Sequence, residues 1–463
     1  MDIFRFGEVR KPFLAGTLLT IISVLFWVSC SGSMGSGGTM TPPGSTMAVI
    51  NVTDAPSDRV LSFEVTIESL SLIASDGSSV SILNTPRRLE VTHVSGSAEP
   101  LGITAFPQGT FTAARVTVSN PDVTFIDGMG NSVEKRDVGA PTTLTIPFPQ
   151  PLVVGSMPLV LTIDINAGGS IQIDPATDRV TVNTVADALY KEIPGNGGEG
   201  GEDTENGKFE HFTGQVTGIS GNNFVVNARG TSITFTTDSR TEFNVAGGVA
   251  ALPNTIIRVE AQTQQNGVPL AREVEVLSAA GGEIEGLVTV AAGSPVSTFS
   301  VVVQDASGPS VSDALLGDFV TVNINPGATR FQVDKEGIDL DGLDLPLFDA
   351  TSLSRGQSLE IDAVANSSGS VIVADSVKLE SQPLTGTISN ASNSQFTLSV
   401  GTDSAFSLLS GNGTLKVLTQ RNTQLKDNVT ISNGATVKVR GLVFFDSNSN
   451  SFTMVAGKIS AAE

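Results

Sequence analysis

Apolar and polar residues alternate along most of the chain in short runs, each cut off by Gly, Pro, Asn or Asp. Met47-Ala-Val-Ile-Asn-Val52, Ser62-Phe-Glu-Val-Thr-Ile-Glu-Ser-Leu70 and Ser79-Val-Ser-Ile-Leu83 show the pattern, and Ser75-Asp-Gly-Ser78 separates the last two. Alternation sends successive side chains to opposite faces of a pleated strand, so these runs predict strands with one buried and one wet face, and the Asp-Gly pair predicts a turn. Further strands are readable over 89–94, 109–118, 123–126, 143–148, 159–165, 170–173 and 179–182. Helical periodicity is scarce. The expected fold is all-β, with an aligned two-sheet β-sandwich over residues 47–190.

Residues 191–210, KEIPGNGGEGGEDTENGKFE, have almost nothing to bury and predict an acidic, Gly-rich, mobile linker. Beyond it the chain repeats itself. Strands opening with Phe212-Thr-Gly-Gln-Val216, Ile284-Glu-Gly-Leu-Val288 and Leu384-Thr-Gly-Thr-Ile388 are each followed by a Phe-led strand at Phe224, Phe299 and Phe396. Corners then come at Arg240-Thr-Glu-Phe243, Ala328-Thr-Arg-Phe331 and Arg421-Asn-Thr-Gln-Leu425, and each unit ends in an alternating strand and a closing strand. Five short strands suit a small, partly open barrel, which gives tandem barrel-like domains over 211–280, 281–381 and 382–463. Gly214, Gly286 and Gly386 share one position and predict close strand approach or a bulge.

The amino terminus is different. Residues 1–12 are basic and residues 13–28 form an apolar run shorter than the roughly 20 residues a spanning helix needs, as in an export signal. Leu25-Phe-Trp-Val-Ser-Cys30 resembles the lipobox of bacterial lipoproteins. The resemblance implies a signal peptide over 1–29, cleavage after Ser29, a lipid-modified Cys30 and, with Ser31 next, sorting to the outer membrane. Residues 30–46 are a Gly/Ser/Pro tether.

The net charge of -21 argues against binding nucleic acid or anionic headgroups through charge. One cysteine leaves no disulfide, thiolate nucleophile or Cys-type zinc site once Cys30 carries lipid. Only two histidines occur, His93 in a predicted strand and His211 beside the linker, and no nucleophile elbow, phosphate loop or metalloprotease helix accompanies them. Trp27 leaves with the signal and Tyr190 is the sole tyrosine, so stacking on sugars has little to draw on, and the phenylalanines fall at core-facing positions. Two acidic loops remain. Asp334-Lys-Glu-Gly-Ile-Asp-Leu-Asp-Gly-Leu-Asp344 is confined to the second repeat and offers Asp339, Asp341 and Asp344 as candidate calcium ligands, whereas Asp446-Ser-Asn-Ser-Asn450 lacks the glycine and distal acid of a calcium loop and reads as a turn.

Val49-Ile-Asn-Val-Thr-Asp-Ala-Pro56, Val65-Thr-Ile-Glu-Ser-Leu70 and Gly109-Thr-Phe-Thr-Ala-Ala-Arg-Val116 resemble the bacterial family called domain of unknown function 4382, which implies an exported β-sandwich. There Asp54 and Pro56 match the opening motif and read as turn residues. The repeats over 212–460 resemble the family called domain of unknown function 5666, which implies tandem small barrels in exported proteins. The expected role is that of a lipid-anchored outer-membrane protein, facing periplasm or exterior, with a non-enzymatic structural or ligand-binding function and no intrinsic cofactor. An envelope hydrolase using acidic loops and a calcium-dependent adhesion or assembly module are the alternatives.

Overall fold

The computed structural model describes residues 44–462 except 56–58, 84, 95–98, 128–132, 175, 194–206, 229–230, 278–281, 313, 336, 365–370 and 427–428. The expected signal peptide, Cys30, nearly all of the expected tether and most of the expected acidic linker lie outside the described residues.

The first domain is a sandwich of two sheets. One contains β1 (Ser45–Ala55), β5 (Glu99–Pro107), β9 (Leu159–Asn166) and β12 (Ala186–Glu192) in the order β12-β9-β1-β5, with β1 parallel to β9 and antiparallel to β5. The other contains β2 (Val60–Ala74), β3 (Ser79–Leu83), β4 (Arg87–Glu90), β6 (Gly109–Ile126), β7 (Val133–Asp137) and β8 (Thr142–Val154); β3, β4 and β6 pair with β2, and β7 and β8 with β6. Ile50, Val52, Leu161 and Ile163 from the first sheet meet Phe63, Val65, Val116 and Phe125 from the second in one core. The outward Val49 and Val160 are buried too, against the next domain. That is why β1 and β9 read as nearly continuous apolar runs.

Two local expectations change. The strand expected over 89–94 stops at Glu90, because the Glu90 carboxylate accepts from the backbone N–H groups of Phe63, Thr92 and His93 and turns the chain; His93 therefore sits in a turn. The strand expected over 170–173 is preceded by a single helical turn, α1 (Ala167–Ser170), whose N-cap Asn166 accepts from Gly169 N–H, before the short pair β10 (Ile171–Ile173) and β11 (Val180–Val182).

Three five-stranded barrels follow. The first is built from β13 (Lys208–Ser220), β14 (Asn223–Ala228), β15 (Thr231–Thr236), β17 (Ile256–Thr263) and β18 (Pro269–Val276), with the short β16 (Glu242–Phe243) laid on β18. The second uses β19 (Gly282–Gly293), β20 (Val296–Ser307), β21 (Phe319–Ile324), β23 (Ser358–Ala363) and β24 (Val371–Leu379), with β22 (Arg330–Val333) on β24. The third uses β25 (Ser381–Ser389), β26 (Gln395–Val400), β27 (Thr414–Leu425), β28 (Thr436–Asp446) and β29 (Ser451–Ala461), with the helix α2 (Ala405–Ser410) between β26 and β27. In every barrel the strands run in the ring order first-second-third-fifth-fourth, and the third strand lies parallel to the fifth. This is the connectivity of an OB-fold, closed here rather than partly open.

Two sequence signals explain the closure. A Cβ at Gly214 or Gly386 would lie 2.5 Å from the carbonyl oxygen of Asn227 or Ser399 on the neighbouring strand, and one at Gly286 would strike that of Val302. Only glycine lets the strands come that close. The corner threonines act as clasps. Thr241, Thr329 and Thr423 each donate from Oγ1 to a carbonyl of the closing strand, at Ala271, Ala374 and Ala456, each over 2.7 Å. Each hydroxyl also accepts from a backbone N–H, of Asp238, Asn325 or Gln420, a few residues before it.

Candidate functional site

The sandwich packs against all three barrels. Thr231 Oγ1 of the first barrel donates to Leu101 O at 3.3 Å, Gln304 Nε2 of the second donates to Leu61 O at 3.1 Å, and Arg440 Nη1 of the third donates to His93 O at 3.2 Å. Leu61 and Ile126 of the sandwich, Val302 of the second barrel and Leu409 of α2 add a small apolar cluster. The barrels also meet one another: Gln357 Nε2 donates to Val443 O at 2.9 Å, and Leu442, Phe444 and Val455 of the third barrel join the core of the second. Where the four domains converge they leave a cavity of about 1170 Å³.

Its walls are polar and strongly charged. They carry eight of the chain's 26 Lys and Arg residues and eight of its 47 Asp and Glu residues, so in an acidic protein the cavity is where basic groups are concentrated. On the third barrel, Lys438 and Arg440 stand on one face of β28 and Lys458 is directly opposite Arg440 on β29. On the sandwich, Arg59 is bonded to Ile126 O and pairs with Asp178 at 3.4 Å, and Arg88 pairs with Glu64 at 2.7 Å. Arg87 differs. It makes a 3.2 Å bond to Pro86 O, but its Nε is buried without a hydrogen-bond partner, and among the described residues no carboxylate pairs with it. Burial pulls its pKa down.

His93 lies on this wall, with Nδ1 2.9 Å from Glu90 and Nε2 3.9 Å from Glu99. Burial disfavours its charged form, but the hydrogen bond and charge of Glu90, with Glu99 and Glu285, outweigh that and raise its pKa. Glu273 on another wall is raised by burial and by neighbouring acids, Glu260 first.

Two ionic clusters lock the walls. Between the first and second barrels, Arg258 meets Glu283 at 2.7 Å and also pairs with Glu360, while Lys378 pairs with Glu360 at 2.6 Å. Burial opposes ionisation of Glu360, yet Arg258 and Lys378 hold its carboxyl down to about 2. Glu283, fully buried and sharing Arg258 with Glu360, is pushed well up by burial, which Arg258 only partly offsets. Between the sandwich and the second barrel, Lys135 reaches Glu64 at 3.2 Å and Asp318 at 2.9 Å. Burial raises Glu64 to about 7 despite Lys135 and Arg88.

The acidic insertion packs onto the second barrel through its apolar residues. Ile338, Phe348 and Leu353 enter the core of the second barrel, and Ile338 also lies against Gly457 of the third. Asp339, Asp341 and Asp344 are left exposed, with Asp339 accepting from Asp341 N–H. Among the described residues, the carboxylates whose oxygens converge within 4.8 Å are Glu283, Glu360 and Asp362, and Asp334, Glu360 and Glu380. The Asp446 loop is the β28–β29 turn; its carboxylate accepts from Asn448 N–H and Ser449 Oγ. Cys30 lies outside the described residues.

With this geometry in hand, residues 213–275, which are the first barrel, match the family described as Domain of unknown function (DUF5666). No curated protein matches the sequence. Among solved structures, "drosophila Unr CSD456" is similar at 9% identity, covering 55% of this chain and 97% of that one with a TM-score of 0.12. A multidomain protein with nucleic acid binding domains from Streptococcus pneumoniae is similar at 12% identity, covering 53% and 72% with a TM-score of 0.12. Neither likeness bears on what this chain binds.

Proposed function

We propose that the protein is a lipid-anchored, exported envelope protein whose body is a non-catalytic, ligand-binding module, with the central cavity as the binding chamber. The observation that carries this reading is the chamber itself. All four domains contribute walls, and buried ion pairs and shared cores join those walls to one another. Its volume suits a small molecule or a few sugar rings, and a pre-formed polar cavity binds without a large ordering cost. Cys30 and the tether would hold the module off the membrane; among the described residues no helix is long and apolar enough to cross one.

Anchoring is tested by intact mass and membrane partition of the full chain beside Cys30→Ser. An acylated chain starting at Cys30, with the variant unprocessed or released, supports it. Binding is tested by melting the full chain against a panel of neutral sugars, carboxylic acids and phosphates, beside Thr385→Trp, which puts an indole on the chamber wall. Ligands should stabilise the parent and not the variant. Stabilisation that survives Thr385→Trp would put the site elsewhere.

The hydrolase alternative draws on Glu380 and Asp334, cavity residues that converge with Glu360. Loss of a hydrolytic activity in Glu380→Gln with folding retained would favour it.

A further inference from the structure

Among the described residues, Arg87 is the chamber cation with a buried donor that no acceptor meets. Arg87 ends on the chamber wall at the start of β4, on the same face of that strand as the core residue Leu89, and its Nε is buried with no acceptor. Every buried donor left unpaired costs on the order of 1–3 kcal/mol, more beside a charge, so such a group calls for a partner. By contrast, the buried or half-buried Arg258, Lys378, Lys135 and Arg88 each have carboxylates in contact.

We propose that the chamber binds a small anionic molecule, carrying a carboxylate or phosphate group that receives the Arg87 guanidinium. The inference rests on the chamber being the binding site and adds the class of occupant. A guanidinium presents a planar fork of donors matched to both oxyanion types. The carboxylates and amides on the other walls, such as Gln304 and Gln382, then accept from or donate to hydroxyl groups, so a hydroxylated anion such as an acidic sugar fits better than a bare hydrocarbon acid. A small ligand inside the chamber is not subject to the repulsion that the net charge of -21 imposes on a long polyanion at the surface.

The test uses the full chain, with inorganic phosphate, citrate, a galacturonate tetramer and, as a neutral sugar, maltotetraose, each at matched ionic strength. Binding is read by calorimetry and by melting temperature for the parent, Arg87→Gln, and Lys416→Gln as a cation outside the chamber. At least one anion should bind saturably to the parent and to Lys416→Gln and about tenfold or more weaker to Arg87→Gln, the loss expected for one charge-assisted pair. Arg87→Gln should melt no lower than the parent in the absence of anion, which separates lost binding from lost folding. Comparison of phosphate with the carboxylates identifies the oxyanion. Anion binding unchanged in Arg87→Gln, or no saturable binding of any anion, overturns the inference. If maltotetraose alone binds, and Thr385→Trp blocks it, the chamber reading stands and the anionic occupant falls.

Discussion

Arg258 and Glu360 occupy the same place in two successive barrels, opposite Thr213 and Glu285 on the respective opening strands, yet they pair with each other across the seam. A repeated position has diverged in charge so that one copy binds the next. Lys438 is the third copy and faces the chamber instead.

The seam predicts unequal consequences for its two glutamates. Glu360→Gln removes an ionised carboxylate from between Arg258 and Lys378 and should cost about 3–5 kcal/mol, the penalty for stranding a buried charge. Glu283→Gln should cost less, because burial pushes that carboxyl up and so weakens its charged form. Urea unfolding of both variants checks this; equal losses would contradict the assignment of charge.

Glu64 sets a pH dependence. Its folded pKa, about 7, lies above the ordinary 4.5, so the folded state binds a proton more tightly than the unfolded one. The associated stability is fully present below pH 4.5 and is lost as pH rises through 7, in total about 3 kcal/mol. Glu64→Gln should flatten this part of the stability curve between pH 5 and 8, as seen by melting at several pH values relative to the parent. An unchanged slope would count against it.

Two glycines of β13 should respond with opposite sign. Gly214→Ala drives a methyl onto Asn227 O and should destabilise by about 2–3 kcal/mol. At Gly218 the added carbon would meet only the Val225 side chain, at an ordinary 3.7 and 3.9 Å, so Gly218→Ala should be neutral or stabilise by up to about 1 kcal/mol. Thermal unfolding of the pair, with the full chain, decides it.

The threonine clasp is tested at Thr329. Thr329→Val preserves shape and leaves the Ala374 carbonyl and Asn325 N–H without their hydroxyl partner, for a loss of about 1–3 kcal/mol. Thr329→Ser should recover most of it. A valine variant as stable as the parent would show that water replaces the clasp without cost.

Much of this architecture is legible from the chain. Alternation around Val65 and Val116 marks strands, and the recurring glycine and threonine mark barrel units, because both signals arise between residues close in sequence or on adjoining strands. The candidate site is less legible. Arg258 stands out only as a charge between Ile257 and Val259, and nothing near it announces Glu283 or Glu360. Arg87 lies beside Arg88 and looks identical to it, although one is paired and the other is not. The alternation of acids and leucines in the insertion, read from sequence as an acidic loop with Asp339, Asp341 and Asp344 as candidate ligands, is an amphipathic pattern that buries Ile338 and Phe348.

By itself, then, the sequence determined an all-β chain of one sandwich and three like barrels, since strand periodicity, turn residues and close-packing glycines act over short distances. Only the tertiary structure decided that the sandwich lies against all three barrels and that charged groups from four domains surround one cavity. Those contacts join residues hundreds of positions apart, such as His93 and Arg440, and their energies depend on burial and on which charges face each other, which have no local signature.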